Sequence, residues 1–531
     1  MRAVRRWAVL AALVASCGGG GGGAGPSNDL LIVGYDREPD TMNRFSTHIL
    51  EDIQTCIVEG LTVTDEKMQV LPLLAREVPS LANGGVVLRP DGGMDVIWKL
   101  RPGVQWHDGK PFTSADVKFT VDAINGPNWN PESTDGFDRI SSVDTPDSLT
   151  AVVHYKEHYA AYALQFVRGA LPRHVLEGKD IERATEYNRN PLGTGPYHLA
   201  EWKTGEYVLL ERVPHYWRGD SLPKIKRIMF RFVPNTTTRV NQLLAGEVHV
   251  VALLPWDRAR DLAQAKGTVV AKTMGNAYEH VTLNEKAVPA FKDVRVRRAL
   301  LVGIDREAIT KQILDGLAPV SHGPVQPVSW AYTDSIKHWP FDVARAKAML
   351  DSAGWKAGAD GMRAKDGAPL RFTLMTQAGF VVRENVAQVL QRQWHDLGAD
   401  VKIELVDGTA ISTKWFSGEF DAMLHWWQMP ADPDLLLFFA ADRTPPAGRN
   451  INYYVDQELS RMLVAADREV DQAKRRALLI PAQQRIADQV PELWLYNVTR
   501  LDAVPTSLKG FKGNPTNTGI FWNVAEWEIK P

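Results

Sequence analysis

The chain has 531 residues, of which 44% are hydrophobic and 23% charged, with a formal net charge of −2. This is ordinary globular composition with room for several domains, and it lacks the basic surplus that a nucleic-acid-binding protein concentrates. Only two cysteines are present, which excludes a disulfide framework and leaves the fold to core burial.

Arg2, Arg5 and Arg6 precede Trp7 to Ala15, an apolar run too short to cross a bilayer as a mature helix and suited to a secretory signal over residues 1–16. Export is therefore expected. Val14-Ala15-Ser16-Cys17 resembles a bacterial lipobox, which implies that Cys17 is lipidated and becomes the new amino terminus, with residues 17–28 as a flexible glycine-rich tether. The alternative is ordinary signal-peptidase cleavage nearby, with Cys17 discarded or left as an incidental thiol. With Cys17 on lipid, Cys56 has no intramolecular partner and reads as a small buried hydrophobe. No other stretch is long and apolar enough to span a membrane.

Leu30 to Val33, bounded by Asn28-Asp29 and Gly34, predicts a buried first strand. Val96, Trp98 and Leu100 alternate as a second strand, which Arg101-Pro102-Gly103 ends. Val104 to His107 is expected to extend again before the Asp108-Gly109 turn. Thr113 to Asp116 has the capping-box pattern, and Val117, Thr120, Val121 and Ile124 then fall on one helical face. His107-Asp108 invites an acid/base reading, but adjacent strand residues point to opposite faces, which favours a structural turn.

The run WKLRPGVQWHDGKPFTSADVKFT resembles the signature of the family 5 extracellular solute-binding proteins, the oligopeptide-, dipeptide- and nickel-binding components of ABC importers. Glu59 to Thr62 and Leu71 to Ala75 are similar to the usual lead-in to that signature. Asn190 to Tyr197 resembles the family's structural turn into a strand; its Gly193 and Gly195 lack the third glycine of a dinucleotide loop, where His198 stands. Pro214 to Gly219 also matches, with Pro214 where the family usually has Asn. Further matches are Val281 to Asn284, Phe291 to Leu300, Phe341 to Trp355 and Pro491 to Tyr496. The arginines at 295, 297 and 298 are read as a solvated helix face or an interlobe ion-pair network in preference to an anion site. Strand candidates at 370–375 and 401–406 flank an amphipathic helix at 386–397, the alternation of an α/β lobe.

The resemblance implies an α/β, two-lobed periplasmic-binding-protein-like fold of the type II, large peptide-binding class, with an extra subdomain in lobe one. Lobe one would cover 29–277, including the subdomain at about 61–190. Lobe two would cover 278–490, and 491–531 would return to lobe one. The implied function is substrate capture for an ABC importer, most naturally of an oligopeptide, delivered to a permease with its ATPase subunits. An oligosaccharide or another small solute is the alternative ligand, and a surface hydrolase or chaperone the opposing class. No Gly-x-Ser-x-Gly elbow, His-Glu-x-x-His helix or P-loop occurs, so no enzyme, cofactor or metal is expected. The expected protein is a monomer, periplasmic or at the cell surface, held to the membrane through Cys17 and not binding nucleic acid.

Phe420 to Asp434 lies where the family places a cleft-lining strand end. Alternation groups Phe420, Ala422, Leu424 and Trp426 on one face and Asp421, Met423, His425 and Trp427 on the other. The first set reads as core, so Trp427 and His425 are expected in the cleft, with Trp426, Gln428 and Met429 close by. Both tryptophans are core in the alternative reading, because sheets in α/β lobes are covered on both sides. Peptide-binding relatives use an aspartate soon after this tryptophan for the ligand's amino group, and Met429 or Pro430 stands there. Dipeptide-specific relatives use an arginine after an earlier strand for the carboxylate, and the nearest register here gives Gln377. Tryptophan (17) equals phenylalanine (17) and exceeds tyrosine (13), a supply of flat stacking platforms.

Overall fold

The computed structural model describes residues 25–47, 52–134, 136–262, 265–516 and 519–530. Cys17, the signal segment and most of the glycine run lie outside the described residues. A ten-stranded mixed sheet runs through both lobes. Two long strands, Thr268–Leu283 and Glu492–Pro505, pair antiparallel and carry it from one lobe to the other. Their ladder breaks between Met274 and Tyr278. There Asn276 takes over the orphaned polar groups: its N–H donates to Pro515 O at 2.9 Å, and its Nδ2 donates to the carbonyls of Met429 and Pro430 at 2.9 and 2.8 Å.

On the lobe-one side the sheet continues through Val250–Val251, Leu31–Tyr35, Arg227–Phe232, Tyr207–Arg212 and Tyr197–Lys203. Leu31–Tyr35 is parallel to both of its neighbours. On the lobe-two side it continues through Ala422–Gln428, Arg371–Gln377 and Asp400–Val406, the last three mutually parallel. Helix Val381–Asp396 links two of these strands, the alternation read from the sequence. The lobe-two sheet is covered on both faces. Val281, Leu283, Leu374, Ala422 and Leu424 pack with Leu390 and Trp394 of that helix. Met375, Met423, Trp427 and Trp494 pack on the other face with Phe438, Leu463, Leu479 and Ile486.

The subdomain is a four-stranded antiparallel sheet, Val86–Leu88, Met94–Lys99, Thr150–Tyr155 and Ile140–Asp147. Helix Ser114–Ile124 lies on it with Val117, Thr120, Val121 and Ile124 buried, and the Thr113 N–H donates to Asp116 Oδ2 at 2.9 Å. Val104 to His107 is not a strand; it makes a single bridge, Gln105 to Pro111, because the turn at Gly109 (φ +82°) closes too soon for a ladder. His107 and Asp108 diverge. His107 Nε2 reaches Gly195 O at 3.0 Å, and Asp108 Oδ2 lies 2.9 Å from His174 Nε2. The turn at Gly193 and Gly195 lies against Ile57, where a Cβ on either glycine would run into the Ile57 carbonyl.

The arginine cluster meets the solvated-face expectation only at Arg295, which is exposed. Arg297 is buried at 2% exposure and donates to the carbonyls of Phe291, Gln489 and Val490, with Glu285 at 2.9 Å. Arg298 holds Asp488, and Arg295 holds Asp293 and Ser352 O. The three arginines therefore stitch lobe two internally and bridge no lobes.

Candidate functional site

Ligands of open α/β sheets bind outside the carboxyl ends of the parallel strands. Here those ends converge from both lobes on the break in the crossing ladder. In lobe two, Gln428 pairs with Ala277 directly beside that break, and Gln377 ends the neighbouring parallel strand. In lobe one, the chain leaving Val251 follows the return strand toward the same place, with the Leu254 N–H on Leu501 O at 2.7 Å.

The lobe-two wall is a row of side chains on one face of three adjacent strands. Glu279 is paired with Trp426 on one side and with Tyr496 on the other. At 42% exposure Trp426 is the most exposed tryptophan among the described residues. Tyr496 is buried, and its ring meets Trp256 edge-on at 5.8 Å. Behind the row stands Arg383, from the helix that follows Gln377, bonded to both Glu279 oxygens.

The lobe-one side carries a buried polar cluster. Tyr35 donates to Asp52 Oδ2 at 2.9 Å, and Arg500 donates through Nε to both oxygens of Asp502 at 3.2 and 3.0 Å. Burial pushes the Asp52 carboxyl up, while Arg500 and Tyr35 pull it down. The subdomain also touches lobe two directly. Arg139 lies 2.7 Å from Asp467, Arg468 lies 3.1 Å from Glu157, and Val470 packs on the subdomain core. The lobes thus meet around the cleft in this structure.

Beneath the cleft, on the other face of lobe two, lies a buried polar cluster. Glu492 accepts from Tyr278 at 3.1 Å and from Asn452 at 3.2 Å, with His280 Nε2 at 3.5 Å. Thr282 Oγ1 sits between His280 (3.2 Å) and His425 (2.8 Å). Burial pushes Glu492 up to about 7, against the pull of Asn452 and Tyr278. Burial lowers His425 to about 3. An acid whose folded pKa is raised contributes stability that is present at low pH and lost as the pH climbs through that pKa. Between pH 4 and 8 Glu492 should therefore cost about 3 kcal/mol. Glu492→Gln is expected to flatten that part of the stability profile. The loss of stability below pH 6.5 that comes from charging His425 should remain, and urea melts across pH 4 to 8 read both.

The family model for bacterial extracellular solute-binding proteins, family 5 Middle, matches residues 77–445. The chain belongs to that family. This solute-binding protein is 30% identical over 511 residues to the oligopeptide-binding protein AppA of Bacillus subtilis strain 168, a match covering 94% of this chain and 91% of that relative. The solved structure of AppA from Bacillus subtilis in complex with a nonapeptide superposes with a TM-score of 0.79 at 28% identity, covering 96% of this chain and 100% of that one. NikZ from Campylobacter jejuni in complex with Ni(L-His) gives 0.80 at 26% identity, covering 95% and 100%. The fold is the two-lobed α/β arrangement of these proteins.

Within this solute-binding protein the two expected tryptophan environments are exchanged. Trp427 is 7% exposed and lies in the core with Met423, its ring edge-on to Phe438 at 4.9 Å and 5.1 Å from Trp415. Trp426 does share its face with Ala422 and Leu424, but those two are fully buried whereas its ring is 42% exposed. His425 is half-buried and turns to the polar cluster on the Trp427 face. Met429 is buried at 1% exposure, its N–H on Asn276 O at 2.8 Å. Gln377 and Gln428 are half-buried at their strand ends, and Gln428 Nε2 reaches Pro515 O at 3.5 Å. Glu279, Arg383 and Phe380 were not singled out in the sequence. One signal was available: Arg383 falls in the apolar stripe of Val386, Ala387, Leu390 and Trp394, and an arginine on a buried stripe requires acceptors from elsewhere, an acid or a set of carbonyls. Among the described residues no group of three or more His, Cys, Asp or Glu side chains is placed to hold a metal ion. No helix among them is long and apolar enough to cross a membrane.

Proposed function

We propose that this chain is the substrate-binding component of an ABC importer, capturing an oligopeptide between its lobes and delivering it to a membrane permease and its ATPase subunits. The observation that carries this reading is the near full-length match to an oligopeptide-binding protein and to its nonapeptide complex, joined to a cleft where strand ends from both lobes converge. The protein is a monomeric carrier in this reading and catalyses no reaction. Lobe one is residues 29–277, with the subdomain at about 61–190; lobe two is 278–490, and 491–531 returns to lobe one. Trp426, Gln428, Gln377 and the backbone around Met429 are the ligand-facing group, and Trp427 and His425 support them from behind.

Closure turns on the ladder break at Asn276, and a ligand drives it only by preferring the closed state. Mass spectrometry of solutes released on denaturation should find peptides. Small-angle scattering should show a smaller particle with such a peptide than without it. Equal dimensions at saturation, or released solutes that contain no peptide, would count against the reading.

Cys17, in this proposal, carries the acyl chains that hold the protein at the outer face of a membrane, since stable anchoring takes more than one chain. Cys17→Ser is expected to move the protein from the membrane fraction to the soluble exported fraction. Intact-mass measurement of the wild-type terminus should show the added lipid.

A further inference from the structure

The cleft wall of lobe two has its positive charge already matched. Arg383, in the first turn of helix Val381–Asp396, donates through Nε and Nη2 to the two oxygens of Glu279 at 2.5 and 3.3 Å. Its guanidinium carbon lies 5.1 Å from the centroid of the Phe380 ring. Both partners of the pair are buried, Glu279 at 5% and Arg383 at 9% exposure. The helix they border begins without a side-chain cap, a place that would otherwise attract an anion. Its first-turn acid, Glu384, already accepts from the Gly379 N–H at 2.7 Å. A ligand carboxylate arriving here meets two resident carboxylates and an arginine that is already paired. What stands open is ring and aliphatic surface: Trp426, Phe380 at 51% and Val381 at 62% exposure.

We infer that Glu279, by occupying Arg383, makes this part of the cleft a subsite for an uncharged aromatic or apolar group of the ligand, and that releasing Arg383 would turn it into a subsite for a carboxylate. Glu279 is thus a specificity-determining residue that acts through Arg383. A ligand carboxylate could displace it only by leaving Glu279 buried and unpaired, which is strongly unfavourable. An aromatic group needs no such exchange, because it stacks on Trp426 and Phe380 as they stand. The class of ligand rests on the peptide reading above.

The test is calorimetry with pentaalanine peptides carrying a single Phe or a single Glu at each position in turn. At one position the wild type should prefer Phe to Glu by roughly tenfold or more, and Glu279→Gln should bring the two within about threefold. Glu279→Gln with Arg383→Gln removes the stranded charge. It should restore the preference for Phe, and it replaces the single variant if that fails to fold. Equal binding of Phe and Glu peptides at every position by the wild type overturns the inference, as does an unchanged ratio in the folded single variant, while peptide capture itself stands. If no peptide binds, the peptide reading falls. The subsite is then probed with N-acetyltryptophanamide against indole-3-propionate. A melting-temperature rise with the neutral probe alone supports the inference; equal rises, or none with either, overturn it.

Discussion

Trp427→Ala is expected to destabilise lobe two by about 3 to 5 kcal/mol, whereas Trp426→Ala should leave stability within about 1 kcal/mol and weaken peptide binding roughly ten- to a hundredfold. The two rings are neighbours in sequence and differ in what covers them. Trp427 is enclosed by Trp415, Phe438 and His280, with Arg449 6.0 Å from its ring, so truncation leaves a cavity whose walls cannot all collapse. Trp426 gives up little buried area in the free protein and offers its open face to the ligand. Urea melts and calorimetry on both variants separate the roles. A stable Trp427→Ala protein that no longer binds peptide, beside an unstable Trp426→Ala protein, would reverse the assignment.

Arg306→Met should cost a similar amount, about 3 to 5 kcal/mol, for a different reason. The guanidinium is 5% exposed and donates to three carbonyls: Ser321 O at 2.7 Å, Trp494 O at 3.1 Å and Trp339 O at 2.6 Å. It thereby ties the 319–340 segment to the return strand. Burial lowers its pKa to about 10, so it is charged at every physiological pH. Methionine fills the volume but leaves three buried acceptors without a donor. Arg306→Lys should recover less than half of the loss, because a single ammonium cannot reproduce the planar fork. Hydrogen exchange is expected to accelerate across 319–340 in both variants. Unchanged protection there would mean that the segment is held by its apolar contacts alone.

Much of the fold could be read from local signals. The capping box at Thr113, the stripe at Val117 to Ile124 and the alternation of strand and helix from Leu370 to Val406 all depend on residues within one or two turns of each other. The family resemblance supplied the order in which these pieces join. The cleft was harder to read for a physical reason. Period-2 alternation says which residues share a face of a strand, and it correctly separates Trp426 from Trp427. It does not say where the cover over that face stops, and the cover that buries Ala422 and Leu424 leaves Trp426 exposed. The Glu279–Arg383 pair spans 104 residues of sequence, so neither residue announces the other. The arginines near 297 misled for the converse reason: a run of cations resembles a surface until the carbonyls of a distant helix end, Gln489 and Val490, are known to reach it.

The return strand Glu492–Pro505 lies in the middle of the ten-stranded sheet, with Thr268–Leu283 on one side and Val250–Val251 on the other. In chain order it also follows the other nine strands of that sheet. Until it emerges from the ribosome, neither lobe can complete its hydrogen-bonded ladder, and the contacts still to be made span more than two hundred residues, the kind that form slowly. A nascent chain in this state has no finished central sheet to be pulled apart. For a member of an extracellular family, such a topology leaves the central sheet incomplete, and the chain easier to thread through a channel, until the return strand is made.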